Sequence, residues 1–280
     1  MEDQVSHVYR RWADLMPEML EKIFCRLSVQ ELLMVVPCVC KPWGKAVKRA
    51  SCWQEIDIEE WCDRSTPQKI DQMVRMLVNR SGGSMRKLYV SKLCGDHIFS
   101  FIADNATSLE VLGMSISDTS NEVIVREANK FSNLTSLDLS YCLNVGALAL
   151  EAIGKNCPHL STLRRNMHPF DDESLICQIP EAFAIAETMP KLKQLEISAL
   201  MVDTFAMHAI IENCQNLEFL DVRDCWNLFI DHEEMKLEFP KLKILGPELD
   251  YEQDKIITLE TFYNPDYPNL KKLSKLRPME

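Results

Sequence analysis

The chain has 280 residues, 46% hydrophobic and 26% charged, which is ample for a folded core and excludes a disordered chain. Its 42 acidic and 31 basic residues leave a net charge of −11, which opposes binding to nucleic-acid phosphates or anionic membrane surfaces and favours basic partners. Glu2, Asp3, Arg10 and Arg11 break up the opening residues, and the longest apolar run, around Leu32 to Cys40, is far short of the roughly eighteen residues a membrane span needs. The expectation is a soluble, unsecreted protein of the nucleus or cytoplasm.

The first predicted helix starts at Pro17, where a missing N–H is harmless, and carries Leu20, Ile23, Phe24 and Leu27 as one apolar stripe. Ser28 followed by Glu31 is a capping-box pattern, so a second helix is expected with Leu32, Leu33 and Val36 on its buried side. Val39, Trp43 and Val47 lie four residues apart and predict a third helical stripe, entered through Pro37 and Pro42. A segment of about forty residues rarely sustains its own core, so part of this apolar surface requires a partner.

This pattern resembles the F-box, a helical motif that docks on a Skp-type adaptor of a cullin-based ubiquitin ligase. The family's Leu-Pro dipeptide is met by Met16-Pro17, its apolar helix by Leu20 through Leu27, its Val-Cys-Lys-x-Trp element by Val39, Cys40, Lys41 and Trp43, and its closing Trp by Trp53. Met16 departs from the usual Leu, a volume-conserving change. The resemblance implies that Leu15, Met16, Pro17, Leu20, Ile23, Phe24, Leu27, Leu32, Val39 and Trp43 serve the adaptor contact, with a cullin joined through the adaptor. A helical cap on a larger domain, or a DNA-reading helix-turn-helix, is the bland alternative, and the acidic balance opposes the second.

From residue 85 a Leu-x-x-Leu-x-Leu unit recurs: Met85, Leu88, Val90; Leu109, Leu112, Met114; Leu134, Leu137, Leu139; Leu160, Leu163; Leu192, Leu195, Ile197; Leu217, Leu220, Val222; and Leu242, Leu245. The central leucines are spaced by 24, 25, 26, 32, 25 and 25 residues, the period of a leucine-rich repeat, in which a short parallel strand and a helix form each coil. Trp53, Ile56 and Ile58 have the same strand pattern and place a first unit directly after the helices. Between strands, helical faces are expected at Ile70, Met73, Val74 and Leu77; Ile98, Phe101 and Ile102; Val123, Val125 and Ala128; Ala147, Leu150 and Ile153; Ala182, Ile185 and Ala186; and Phe205, Ala209 and Ile210.

The unit at Leu134, with Cys142, Cys157 and Pro158, resembles the cysteine-containing repeat subtype, echoed by Cys214 and Cys225. These thiols are expected to be small core side chains, since the eleven cysteines include no repeated Cys-x-x-Cys pair for zinc and no local basic set that would lower a thiol pKa. No Gly-rich phosphate loop, His-Glu-x-x-His or Gly-x-Ser-x-Gly is present, so a non-catalytic protein without cofactor or metal is expected.

The fold class expected is α/β: an extension over 1–11, a three-helix F-box over 12–52, a leucine-rich-repeat solenoid over 53–246 with a concave parallel sheet and convex helices, and a cap or flexible tail over 247–280. Residues between the repeated leucines should point into the concave face. Most are small or polar; Tyr89, Arg164, Phe219 and Arg223, with Glu196 and Asp221, are the candidate contacts for a protein substrate. The unit with the 32-residue interval is irregular, with Arg165 at an apolar position and an acidic loop from Asn166 to Glu173 that could equally be a contact or a plain insertion. The resemblance implies the substrate receptor of an SCF-type ligase. Its rivals are a small-molecule sensor of the same family, for which roughly eight coils are too few to enclose a pocket, and a ligase-independent binding scaffold.

Overall fold

The computed structural model describes residues 15–168, 178–225 and 228–247. Residues 1–14, the loop positions Pro169 to Glu173 and the tail beyond Pro247 lie outside the described residues.

Helix α1 (Pro17–Phe24) opens at Pro17, as expected, and turns Leu20 and Phe24 inward. The capping box forms: Ser28 Oγ and backbone N–H both donate to Glu31 Oε2 at 2.9 Å. The second helix differs from an ideal one. Glu31–Val35 winds as a wide π turn and passes into α2 (Val36–Val39), where Pro37 has no N–H to give to the turn before it. Extended backbone at Cys40 (φ −164°, ψ 166°) then separates α2 from α3 (Lys41–Ala46). The single stripe expected from Val39 through Val47 is thus divided: Val39 ends one helix and Trp43 lies on the next.

The helices join the repeats without a flexible linker. A short 3₁₀ turn, Ala50–Trp53, leads straight into β1 (Glu55–Asp57). Trp53 is fully buried, its Nε1 donates to the Val47 carbonyl at 2.8 Å, and the Arg80 guanidinium lies over its ring at 4.8 Å. Arg80 belongs to α5 (Pro67–Ser81), the helix of the first coil, so one indole pins the N-terminal helices to the solenoid.

Among the described residues eight parallel strands follow in chain order: β1, β2 (Lys87–Ser91), β3 (Val111–Ser115), β4 (Ser136–Asp138), β5 (Thr162–Arg164), β6 (Gln194–Glu196), β7 (Phe219–Asp221) and β8 (Lys243–Leu245). Between them lie α4 (Glu59–Asp63), α5, α6 (Asp96–Asn105), α7 (Asn121–Glu127), α8 (Ala147–Asn156), α9 (Ile179–Thr188), α10 (Thr204–Asn213) and α11 (His232–Glu238). Ile56, Leu88, Leu112, Leu137, Leu163, Leu195 and Leu220 stand in register and point into a core that is continuous from Leu20 to Met235. Each coil buries its apolar edge only against its neighbours. In the last coil Ile244, not Leu245, pairs with Leu220, so the register expected from Leu242 and Leu245 is shifted by one residue. Two expected helix-face residues also point outward: Val125 and Phe205, the latter 72% exposed.

Left-handed corners recur four residues after the central leucine, at Lys92, Ile116, Tyr141, Ala199 and Asp224, with φ between 53° and 61°. Such a conformation costs an L-residue about 1–2 kcal/mol, and here it turns the chain sharply out of each strand. The corresponding residue of the irregular coil is Met167, which is buried and has no positive φ. Beside it Arg165 fills the apolar position at 1% exposure. Its guanidinium bonds Glu181 of α9 through Nε (2.9 Å) and Nη2 (3.3 Å), the carbonyls of Val145 (2.7 Å) and Leu139 (3.4 Å), and Met167 Sδ (2.9 Å). A buried charge survives only when paired and hydrogen-bonded in this way.

Candidate functional site

Two surfaces carry the residues singled out in the sequence. In the N-terminal helices the apolar set divides by burial. Leu20, Phe24 and Leu32 are 0–2% exposed and hold the helices together, Phe24 meeting Trp43 edge to face with ring centroids 5.3 Å apart. This corrects their assignment to an adaptor-facing set, because side chains so enclosed present no surface to a partner. Leu15, Leu27 and Trp43 are partly buried against the same core. Pro17 is exposed, and Met16 (65%), Ile23 (38%) and Val39 (52%) stand in solvent.

Met19, Met34 and Val35 join them, and these three were not picked out from the sequence. The available signal was the unbroken apolar run Leu32–Val36: five consecutive residues of a helix cannot all face one side. Six of the eleven large hydrophobics exposed among the described residues fall between Met16 and Val39. Scattered single apolar residues are normal on a surface, but a concentration on one small helical unit marks an interaction patch. Arg49 braces α1 beside it, pairing with Glu21 and with Glu18 at 3.4 Å.

The second surface is the concave face. Successive strand side chains alternate between faces, so the residues flanking each buried leucine line it. One row reads Asp57, Tyr89, Gly113, Asp138, Arg164, Glu196, Asp221 and Leu245 across paired strands. The structure brings the candidate contacts together here and ties most of them to the sheet. Arg164 Nε donates to Glu196 Oε1 at 3.0 Å, and Arg223 bonds Asp221 at 2.7–3.2 Å. Lys243 Nζ sits 5.8 Å from the Phe219 ring centroid. The Tyr89 ring packs against Gly113, where an added Cβ would fall 2.7 Å from it. Glycine is required at that close approach.

The repeat cysteines are enclosed: Cys142 Sγ donates to the Met114 carbonyl at 3.1 Å and Cys225 Sγ to the Ile197 carbonyl at 3.3 Å, at corresponding places in two coils. Burial pushes the thiols of Cys142 and Cys157 up to about 11 and those of Cys214 and Cys225 up to about 12, so they remain protonated donors rather than nucleophiles.

Residues 6–55 match the F-box domain. The chain is 48% identical to F-box protein FBW2 of Arabidopsis thaliana over 242 residues, 86% of this chain and 76% of that one. It is 32% identical to F-box protein SKIP1 of Arabidopsis thaliana, over 78% of this chain and 80% of that one. It is also 32% identical to the putative F-box/LRR-repeat protein 23 of Arabidopsis thaliana, over 84% of this chain and 53% of that one. Helices that leave an apolar patch open, a one-piece junction at Trp53 and a parallel repeat sheet, together with relatives at this identity and coverage, place the chain in the family of F-box/leucine-rich-repeat proteins.

Proposed function

We propose that this protein is the substrate-binding subunit of an SCF-type ubiquitin ligase, with the N-terminal patch seated on a Skp-type adaptor, a cullin joined through it, and the concave face holding the protein to be modified. The observation that carries the reading is the patch of Met16, Met19, Ile23, Met34, Val35 and Val39 left in solvent by an otherwise well-packed helical unit. Burying such side chains stabilises a complex by roughly 25 cal/mol per Å² of apolar area. The chain contributes no bond-making group in this reading. It acts by position, since holding a substrate lysine near the charged conjugating enzyme turns a bimolecular encounter into a nearly unimolecular one. The buried Trp53 junction supports that role by keeping the two surfaces in one rigid piece.

Ile23→Asp combined with Val39→Asp places charges in the patch without touching the core. Co-precipitation of a Skp-type adaptor by the double variant should be lost while its melting temperature stays at the parent value. Undiminished adaptor capture by the folded variant sinks the reading. Replacing Pro17 and Phe24 is a poorer test, because truncating the buried Phe24 costs about 3–5 kcal/mol by itself. For the other surface, Ala at Tyr89, Arg164, Phe219 and Arg223 should leave adaptor binding intact and remove captured substrates.

A further inference from the structure

The concave face is unevenly neutralised. Among its cations, Lys87 is held by Glu55 at 3.1 Å, Arg164 by Glu196 at 3.0 Å and Arg223 by Asp221 at 2.7 Å. At the N-terminal end the balance fails. Asp57, Glu59 and Asp138 have no Lys, Arg or His within ion-pair distance among the described residues. Asp63 is paired with Lys92 at 2.8 Å, and Arg164, next to Asp138 in the register, spends its Nε on Glu196. Burial raises the Glu59 pKa, and Asp57, Asp138 and Asp63 raise it further, while a hydrogen bond from Ser115 Oγ at 3.2 Å opposes them. These carboxylates therefore feel one another.

Between Asp57 and Asp138 in the row lies the Tyr89 ring, packed against Gly113. Ser91, the next residue of β2 on the same face, is buried beside Cys62. A cavity of about 830 Å³ between the N-terminal helices and the first coil is lined by Tyr89 and, among its apolar side chains, by Val29, Leu33, Trp61 and Met73.

We propose that this end of the concave face recognises an extended substrate segment bearing a Lys or Arg side chain, received over the Tyr89 ring between Asp57, Glu59 and Asp138, with an apolar neighbour entering the adjoining cavity. The inference rests on the concave face being the substrate surface and names the class of substrate. An aromatic face attracts a cation, three carboxylates outside any ion pair among the described residues supply the long-range attraction, with Asp138 partly offset by the nearby Arg164, and the net charge of −11 adds to it. An acidic or neutral segment would leave those carboxylates desolvated and uncompensated.

The test uses the full chain and two synthetic pools of fluorescent twelve-residue peptides with matched apolar and polar positions, one carrying Lys and Arg, the other Asp and Glu. Anisotropy should show the basic pool binding about tenfold or more tightly over the acidic pool. The preference should vanish in the isosteric variant Asp57→Asn/Glu59→Gln/Asp138→Asn and in each of its single substitutions by degrees, and fall with Tyr89→Ala. It should persist in Glu122→Gln/Glu187→Gln/Glu212→Gln, which removes the same charge from the outer helices. Absence of a basic preference, or its equal loss in the outer-helix variant, overturns the inference. If basic peptides bind but depend only on Phe219 and Arg223, the location is wrong while the concave surface stands; indifference to both sets of substitutions removes the concave reading as well.

Discussion

In the coil of Leu137 the next inward position is Leu139, the corner residue Tyr141 takes φ 61°, and Cys142 closes the turn with a thiol hydrogen bond. In the adjoining coil of Leu163 those places hold Arg165 and Met167, the corner has no positive φ, and a guanidinium supplies the bonds that close the turn. Both coils keep the same strand register, so the sheet tolerates either solution. The difference lies in sensitivity. The regular coil is held by dispersed apolar contacts, each of modest worth, whereas the irregular one depends on a single charge whose loss strands a buried carboxylate.

Removing the guanidinium should therefore give the largest effect. Arg165→Ala leaves Glu181 buried without its partner, and a loss of about 3–5 kcal/mol is expected by urea denaturation. The double variant Arg165→Met/Glu181→Leu should recover to near the parent, because an apolar pair fits the position as Val90, Met114 and Ile197 do in other coils. A double variant as weak as Arg165→Ala would show that the pair contributes more than charge compensation. In the regular coil, Leu139→Ala should cost about 2–5 kcal/mol through transfer and cavity terms, with no single substitution elsewhere able to rescue it.

Acid should separate two buried glutamates. Hydrogen bonds from Lys130, Arg126 and Ser100 hold the Glu127 carboxyl at about 2. Its contribution is then present above the ordinary value near 4.5 and is lost as pH falls toward 2, so the advantage of the parent over Glu127→Gln should narrow across that window. Glu181 is displaced the other way, since burial raises its pKa against the pull of Arg165. Stability linked to it is present below the ordinary value and lost as pH rises through the raised one, so parent should gain on Glu181→Gln as the solution is acidified from neutrality. Melting temperatures moving in the same sense for both pairs would contradict the assignment.

The smallest effect is expected at the corners. Ala199 sits at φ 56°, and Ala199→Gly should be neutral or stabilising within about 1 kcal/mol, as relief of left-handed strain offsets the entropy of glycine. Met167→Gly, at a buried corner without positive φ, should destabilise. Equal responses would mean the two kinds of corner are not physically different.

Periodicity along the chain was enough to place the helix at Pro17, the capping box at Ser28, the first coil at Ile56 and the inward leucines through Leu220, because each of these follows from local backbone geometry and from apolar side chains recurring on one face. What local pattern could not decide was which apolar residues of the N-terminal helices close on one another and which stay open. Leu20 and Ile23 look alike in the sequence, and only the packing of α1 against Trp43 and the Ala50–Trp53 turn separates them. The same holds for Arg165 and Glu181, sixteen residues apart, whose pairing exists because the coil folds one over the other. Tyr89 over Gly113 is likewise a contact between strands. Sequence periodicity reports the face a side chain occupies; its neighbour across the coil, and so its charge balance and exposure, is set by tertiary structure.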